Sequence, residues 1–111
     1  MHQLSSEMQK CIRACLNCYE VCRGAAMNHC LEVGGAHVEP RHFRLISACA
    51  EVCRATADLM LIGTRHHKHL CAECAEICEE CADDCERLGD MQECVDACRR
   101  CAESCRRMAA M

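Results

Sequence analysis

Residues 71–85 read CAECAEICEECADDC, so that cysteine returns at Cys71, Cys74, Cys78, Cys81 and Cys85, in steps of three, four, three and four. An α-helix turns once in about 3.6 residues, and steps alternating between three and four therefore hold every sulfur on one narrow stripe. Cys11, Cys15, Cys18 and Cys22 follow a 4-3-4 rhythm, Cys94, Cys98, Cys101 and Cys105 repeat it, and Cys49 with Cys53 adds one more step of four. The pattern predicts helices whose sulfur faces meet.

Composition bounds what those faces are for. In 111 residues there are 16 cysteines, one Tyr, one Phe and no Trp, so the usual aliphatic and aromatic bulk of a core is scarce. Cysteine at this density marks either a disulfide scaffold or a metal protein. The opening MHQLSSEMQK carries no basic n-region, no apolar h-region and no twin arginine, which predicts a cytoplasmic protein with reduced thiols. Helical neighbours three or four apart have Cβ atoms about 5–6 Å from one another, whereas a disulfide needs roughly 3.5–4.5 Å. An ion between two sulfurs bridges the longer gap. No run of 18 or more apolar residues offers a membrane span. A net charge of −4 with signs mixed along the chain argues against a nucleic-acid binder.

Read in order, residues 1–111 form one all-α domain with helices over about 6–33, 41–62, 67–88 and 91–108. Ser6 with Gln9 reads as a capping box, and Gly34-Gly35 as a stop. The first stripe continues through Ala25 to His29, leaving Cys30 on a second apolar set with Ile12, Leu16 and Tyr19 that widens the buried face or meets another subunit. Pro40 opens the second helix, whose core rhythm is His42, Ile46, Cys49, Cys53, Thr56 and Met60. The third stripe runs from His67 to Leu88. Asp90 with Glu93 reads as a second capping box, and the fourth stripe runs from Met91 to Met108. The Glu, Asp and Arg residues between the cysteines have the composition of a solvated exterior. Short connections make neighbouring helices antiparallel, giving an up-down-up-down four-helix bundle with a cysteine-lined core. His29, His42, Leu88 and Met91 then gather at one end, and Met8, Met60, His67 and Met108 at the other.

A lone buried cysteine is ordinarily a small hydrophobe. A core needing only packing would use Leu and Ile, which bury more area at about 25 cal/mol per Å² and resist oxidation. Thiolates instead select Cu(I), Zn(II) or iron–sulfur clusters. Zinc prefers discrete tetrahedral quartets, and the iron–sulfur run C-x2-C-x2-C-x3-C-P is absent. Cu(I) accepts two or three sulfurs and suits a continuous ladder of shared ligands. Sharing also brings thiolate and Cu(I) charges into balance, which buried charge demands, and predicts a capacity on the order of 15 Cu(I) per chain. His29, His42 and Met91 are candidate inlet ligands, while His66, His67 and His69 beside Lys68 read as a solvated connector, and Leu59, Leu61 and Ile62 suggest that the Met60 end is closed.

Rival readings fare less well. A thiol oxidoreductase would place CxxC at a helix start beside a strand, and no strand pattern occurs. A di-iron bundle needs E-x-x-H twice, and only Glu39 to His42 matches. A copper-responsive regulator would carry a basic DNA-reading helix. A buffer for zinc or another soft metal stays open.

The CxxxCxxCxxxC segments at 11–22 and 94–105, the 71–85 helix and the closing CAESCRRMAA resemble the cytosolic branch of the bacterial copper storage proteins. The resemblance implies a non-enzymatic, cysteine-rich four-helix bundle that binds many Cu(I) ions and assembles as an oligomer, typically a tetramer. It implies as ligands Cys11, Cys15, Cys18, Cys22, Cys49, Cys53, Cys71, Cys74, Cys78, Cys81, Cys85, Cys94, Cys98, Cys101 and Cys105. Cys30 fits that motif less well.

Overall fold

A computed structural model describes residues 4–111; Met1, His2 and Gln3, part of the stretch read for a leader, lie outside the described residues. Helix α1 runs Ser6–Gly24, widens into a π-helical turn over Ala25–Cys30 and closes with Leu31–Val33. Its cap is Ser5 and not Ser6. Ser5 is extended (φ −62, ψ 158), which frees its Oγ to accept from the Met8 N–H at 3.1 Å, while Ser6 already has helical geometry. Gln9 reaches past the cap to the Leu4 carbonyl at 2.8 Å.

The π turn overturns one expectation about the α1 stripe. A π turn holds an extra residue, so the register beyond it shifts by one. Cys22, Ala26 and Cys30, two successive steps of four, take the axial positions and are all 0% exposed. Ala25 and His29 rotate off the axis. Cys30 therefore joins the core, and all 16 cysteines are buried.

A short 3-10 turn, Gly35–Val38, leads into α2, Pro40–Ile62. Gly63 ends that helix in the left-handed conformation (φ 84), where its N–H donates to the Leu59 and Met60 carbonyls. His42, Ile46, Cys49, Cys53, Thr56 and Met60 are all buried, as their spacing predicts. Helix α3 spans His67–Leu88 and α4 spans Gln92–Ala110. The Asp90–Glu93 capping box does not form, because Asp90 sits at φ 59 and Met91 stands at the helix entrance without a side-chain cap. Asp90 turns back instead, placing Oδ2 3.6 Å from His29 Nε2.

Each helix packs against two others, in the ring α1–α2–α3–α4. Pairings across every seam run antiparallel: Cys11 with Cys105 and Cys22 with Cys98 join α1 to α4, and Cys49 with Cys78 and Cys53 with Cys74 join α2 to α3. Arg99 and Arg106 of α4 pair with Glu86 and Glu79 of α3 on the outside. The result is an up-down-up-down bundle, a rod of 48 × 22 × 19 Å with sulfur along its axis. Among the described residues no strand occurs and no helix is long and apolar enough to cross a membrane.

Candidate metal centre

Every sulfur on the predicted stripes points inward, and none is paired as a disulfide. Contacts run unbroken from the Cys11 end to Cys22. Cys105 lies 3.8 Å from Cys11 and 3.5 Å from Cys15, and Cys15 lies 3.7 Å from Cys101. Cys53 then touches Cys101, Cys74 and Cys78 at 3.8, 3.7 and 3.5 Å. Cys49 meets Cys78 at 3.7 Å and Cys98 at 3.8 Å, and Cys98 meets Cys22 at 3.5 Å. Beyond this, Cys81 and Cys85 pair at 3.9 Å, and Cys71 groups with Cys11 and Cys105.

These separations exceed a disulfide bond of about 2.05 Å but suit a shared metal. With metal–thiolate bonds of about 2.3 Å, sulfurs 3.5–4.0 Å apart subtend roughly 100–120° at a common ion. That is the angle of three- or four-coordinate binding. S–H···S contacts link the ladder: hydrogen bonding between Cys101 and Cys105 pushes the Cys105 thiol up and holds Cys101 down.

Groupings of sulfurs within 4.8 Å of one another overlap. Cys18 and Cys49 belong both to a quartet with Cys53 and Cys78 and to one with Cys22 and Cys98, while Cys74 and Cys101 are common to the quartet with Cys53 and Cys78 and to that with Cys15 and Cys105. No three of these quartets avoid sharing a sulfur. Closed zinc sites want four ligands each, so this arrangement suits an ion content with bridging thiolates better than separate zinc centres.

At the other end the ladder meets imidazole. His42 is buried at 1% exposure; its Nδ1 lies 2.7 Å from Asp84 Oδ2 and its Nε2 3.6 Å from Cys30 Sγ. His37 sits edge-on between His29 and His42, with ring centroids 5.3 and 6.2 Å away. His29 and Met91 line a surface cleft that reaches Cys94, so these two candidate inlet residues share one opening, whereas His42 is buried and does not line it. At the opposite end Met60 and Met108 are buried, Met8 is half-buried, and His67 Nδ1 is tied to the Thr64 carbonyl at 2.7 Å.

Three residues escaped sequence reasoning. Cys30 is carried onto the axis by the π turn, whose only sequence trace is the small Ala26 midway between Cys22 and Cys30, four residues from each. His37 lay in a linker. Asp84, read as exterior, is 5% exposed because it flanks the stripe one position before Cys85. Burial raises the Asp84 carboxyl, but hydrogen bonds from His42 and Arg87 outweigh it and hold the group below its ordinary value. A depressed carboxylate contributes stability that is full above its unfolded value, 3.8, and is lost as pH falls through the lower folded value. Urea midpoints of the metal-free protein and of Asp84→Asn are therefore expected to differ at pH 6 and to converge toward pH 3; a constant gap would show that the charge of Asp84 is irrelevant to folding.

Comparison with known proteins agrees with this geometry. The family model for copper storage proteins matches residues 4–110. A crystal structure of a protein from Nitrosospira multiformis is 54% identical, with a TM-score of 0.92 over 94% of this chain and 95% of that one. The Cu(I)-bound copper storage protein BsCsp3 is 35% identical, with a TM-score of 0.86 over 94% and 99% of the two chains. The apo form of copper storage protein 3 from Bacillus subtilis is 36% identical, with a TM-score of 0.81 over 91% and 97%. No individual curated protein matches the chain.

Proposed function

The chain belongs to the copper storage protein family, and from that premise we propose that it is a cytoplasmic, non-enzymatic store that holds Cu(I) on the thiolates of its core. The observation that carries this reading is the axial ladder, unbroken from Cys11 to Cys22, with overlapping groups of three and four sulfurs. The fifteen stripe cysteines, Cys11 to Cys22, Cys49, Cys53, Cys71 to Cys85 and Cys94 to Cys105, are the ligands. Shared thiolates and a buried, charge-neutral core set the capacity on the order of 15 Cu(I) per chain. His29, Met91 and His42 form the inlet, at the end where the cleft reaches Cys94. The single bundle assembles with further copies, a tetramer by resemblance, and the exposed Leu16, Met27, Leu31 and Val33 on α1 support that packing.

Anaerobic titration with Cu(I) against a strong chelator tests the reading. Ten or more ions per chain are expected, with about one proton released per ion, since each thiol must lose its proton to bind metal. A limit of one to four ions would mark a chaperone or sensor, and thiol turnover without copper uptake would mark an enzyme. Zinc buffering gives a distinct result, with saturation at a few Zn(II) ions and no larger uptake of Cu(I).

A further inference from the structure

The fifteen-thiolate store makes no use of Cys30, His37 or Asp84, yet the fold goes to some length to bring them together. Cys30 reaches the axis only because the α1 helix widens over Ala25–Cys30. Such π turns interrupt the regular ladder and are frequent at functional sites. What Cys30 is aimed at is His42.

We propose that Cys30 Sγ and His42 Nε2 form a mixed thiolate–imidazole Cu(I) site at the end of the sulfur ladder, and that Asp84 is its positioning residue. This rests on the storage reading for the identity of the ion. A carboxylate only accepts hydrogen bonds, so the 2.7 Å contact to Asp84 Oδ2 places the proton of the neutral ring on Nδ1. The lone pair on Nε2 then faces Cys30 Sγ at 3.6 Å. Metal–sulfur and metal–nitrogen bonds of about 2.3 and 2.0 Å put an ion between these atoms at an angle of roughly 115°. His37 Nε2 is buried without a hydrogen-bond partner, on a ring 6.2 Å from that of His42.

Charge selects the ion. As the metal binds, the Cys30 thiol loses its proton to solvent, and one thiolate, one Cu(I) and the neutral His42 imidazole sum to zero. Zn(II) on the same ligands would leave a buried positive charge, because the Asp84 carboxylate is already engaged by His42 on one oxygen and by Arg87 on the other, at 3.0 and 2.8 Å. Carboxylate partners of this kind fix the tautomer of a ligating histidine and raise its basicity.

The test follows the His42 nitrogen signals in 15N-histidine-labelled protein during anaerobic Cu(I) addition, with thiolate–copper absorbance recorded in parallel. The metal-free protein is expected to show the Nδ1–H tautomer, and the Nε2 signal is expected to shift on loading. Cys30→Ala should abolish that shift while the absorbance of the ladder still rises. Asp84→Asn should admit the Nε2–H tautomer and weaken the His42 response about 10- to 100-fold, an effect that loss of packing alone would not produce. Normal loading with an unmoved Nε2 signal, or a shift that persists in Cys30→Ala, overturns the site while the store stands. A shift saturating at one ion per chain sustains the site and overturns the store. The wild-type and Cys30→Ala arms decide the matter even where Asp84→Asn does not fold.

Discussion

Replacing Cys53, Cys74, Cys78 and Cys101 together by alanine is expected to remove about four to six of the ~15 Cu(I) ions and to split the remaining store into two blocks. These four form one of the two quartets whose members all recur in neighbouring groups: Cys53 and Cys78 with Cys18 and Cys49, and Cys74 and Cys101 with Cys15 and Cys105. Each removed sulfur deprives two ions of a ligand, so the loss should exceed what four independent sites would give. Alanine is preferred to serine because a buried hydroxyl without a partner costs about 1–3 kcal/mol, whereas a methyl only leaves a small void. Anaerobic titration with a check of helical content by circular dichroism reads the result. A variant that folds and still takes up its full complement would show that copper lies somewhere other than the axis.

The second large effect is on stability. Apart from cysteine, the largest side chains wholly removed from solvent are Ile46, Met60, His42 and Thr56, and much of the rest of the core is alanine. A thiol buries less apolar area than leucine, and at about 25 cal/mol per Å² the metal-free bundle lacks much of the usual driving force. Copper bound between helices favours the folded arrangement by about 2.7 kcal/mol for each site at a hundredfold excess over its Kd, reduced by whatever the unfolded thiolates bind. Even a net gain of about 5 kcal/mol raises Tm by roughly 20 °C or more at about 4–8 °C per kcal/mol. Scanning calorimetry of metal-free, loaded and chelator-stripped protein should therefore show a rise of that order, reversed on stripping. A Tm that moves by only a few degrees would place the ions outside the interhelical seams.

Much of this was legible in the residues because a helix converts spacing directly into direction. Steps of three and four at 71–85, 94–105 and 11–22 determine a sulfur face whatever surrounds it, and once Gly63 and Gly89 end helices, short connections leave an antiparallel bundle as the arrangement that buries those faces. The α2 core from His42 to Met60 was readable for the same reason. Capping was less so: whether Ser5 or Ser6 closes α1, and whether Asp90 caps α4 or turns toward His29, depends on backbone dihedrals that equally suitable polar residues do not specify.

Only the tertiary structure decided how the histidine end of the bundle is arranged. Periodicity assumes a constant turn, and the widened turn at Ala25–Cys30 breaks that assumption, exchanging His29 for Cys30 on the axis. Asp84 looks like any surface carboxylate until α2 brings His42 against it, and His37 acquires neighbours only when its linker folds over the bundle end. The chain by itself determined that sulfur lines the axis, because that is a property of single helices. Which imidazoles and which carboxylate meet the last sulfur is a matter of distances between helices, and no spacing along one of them contains it.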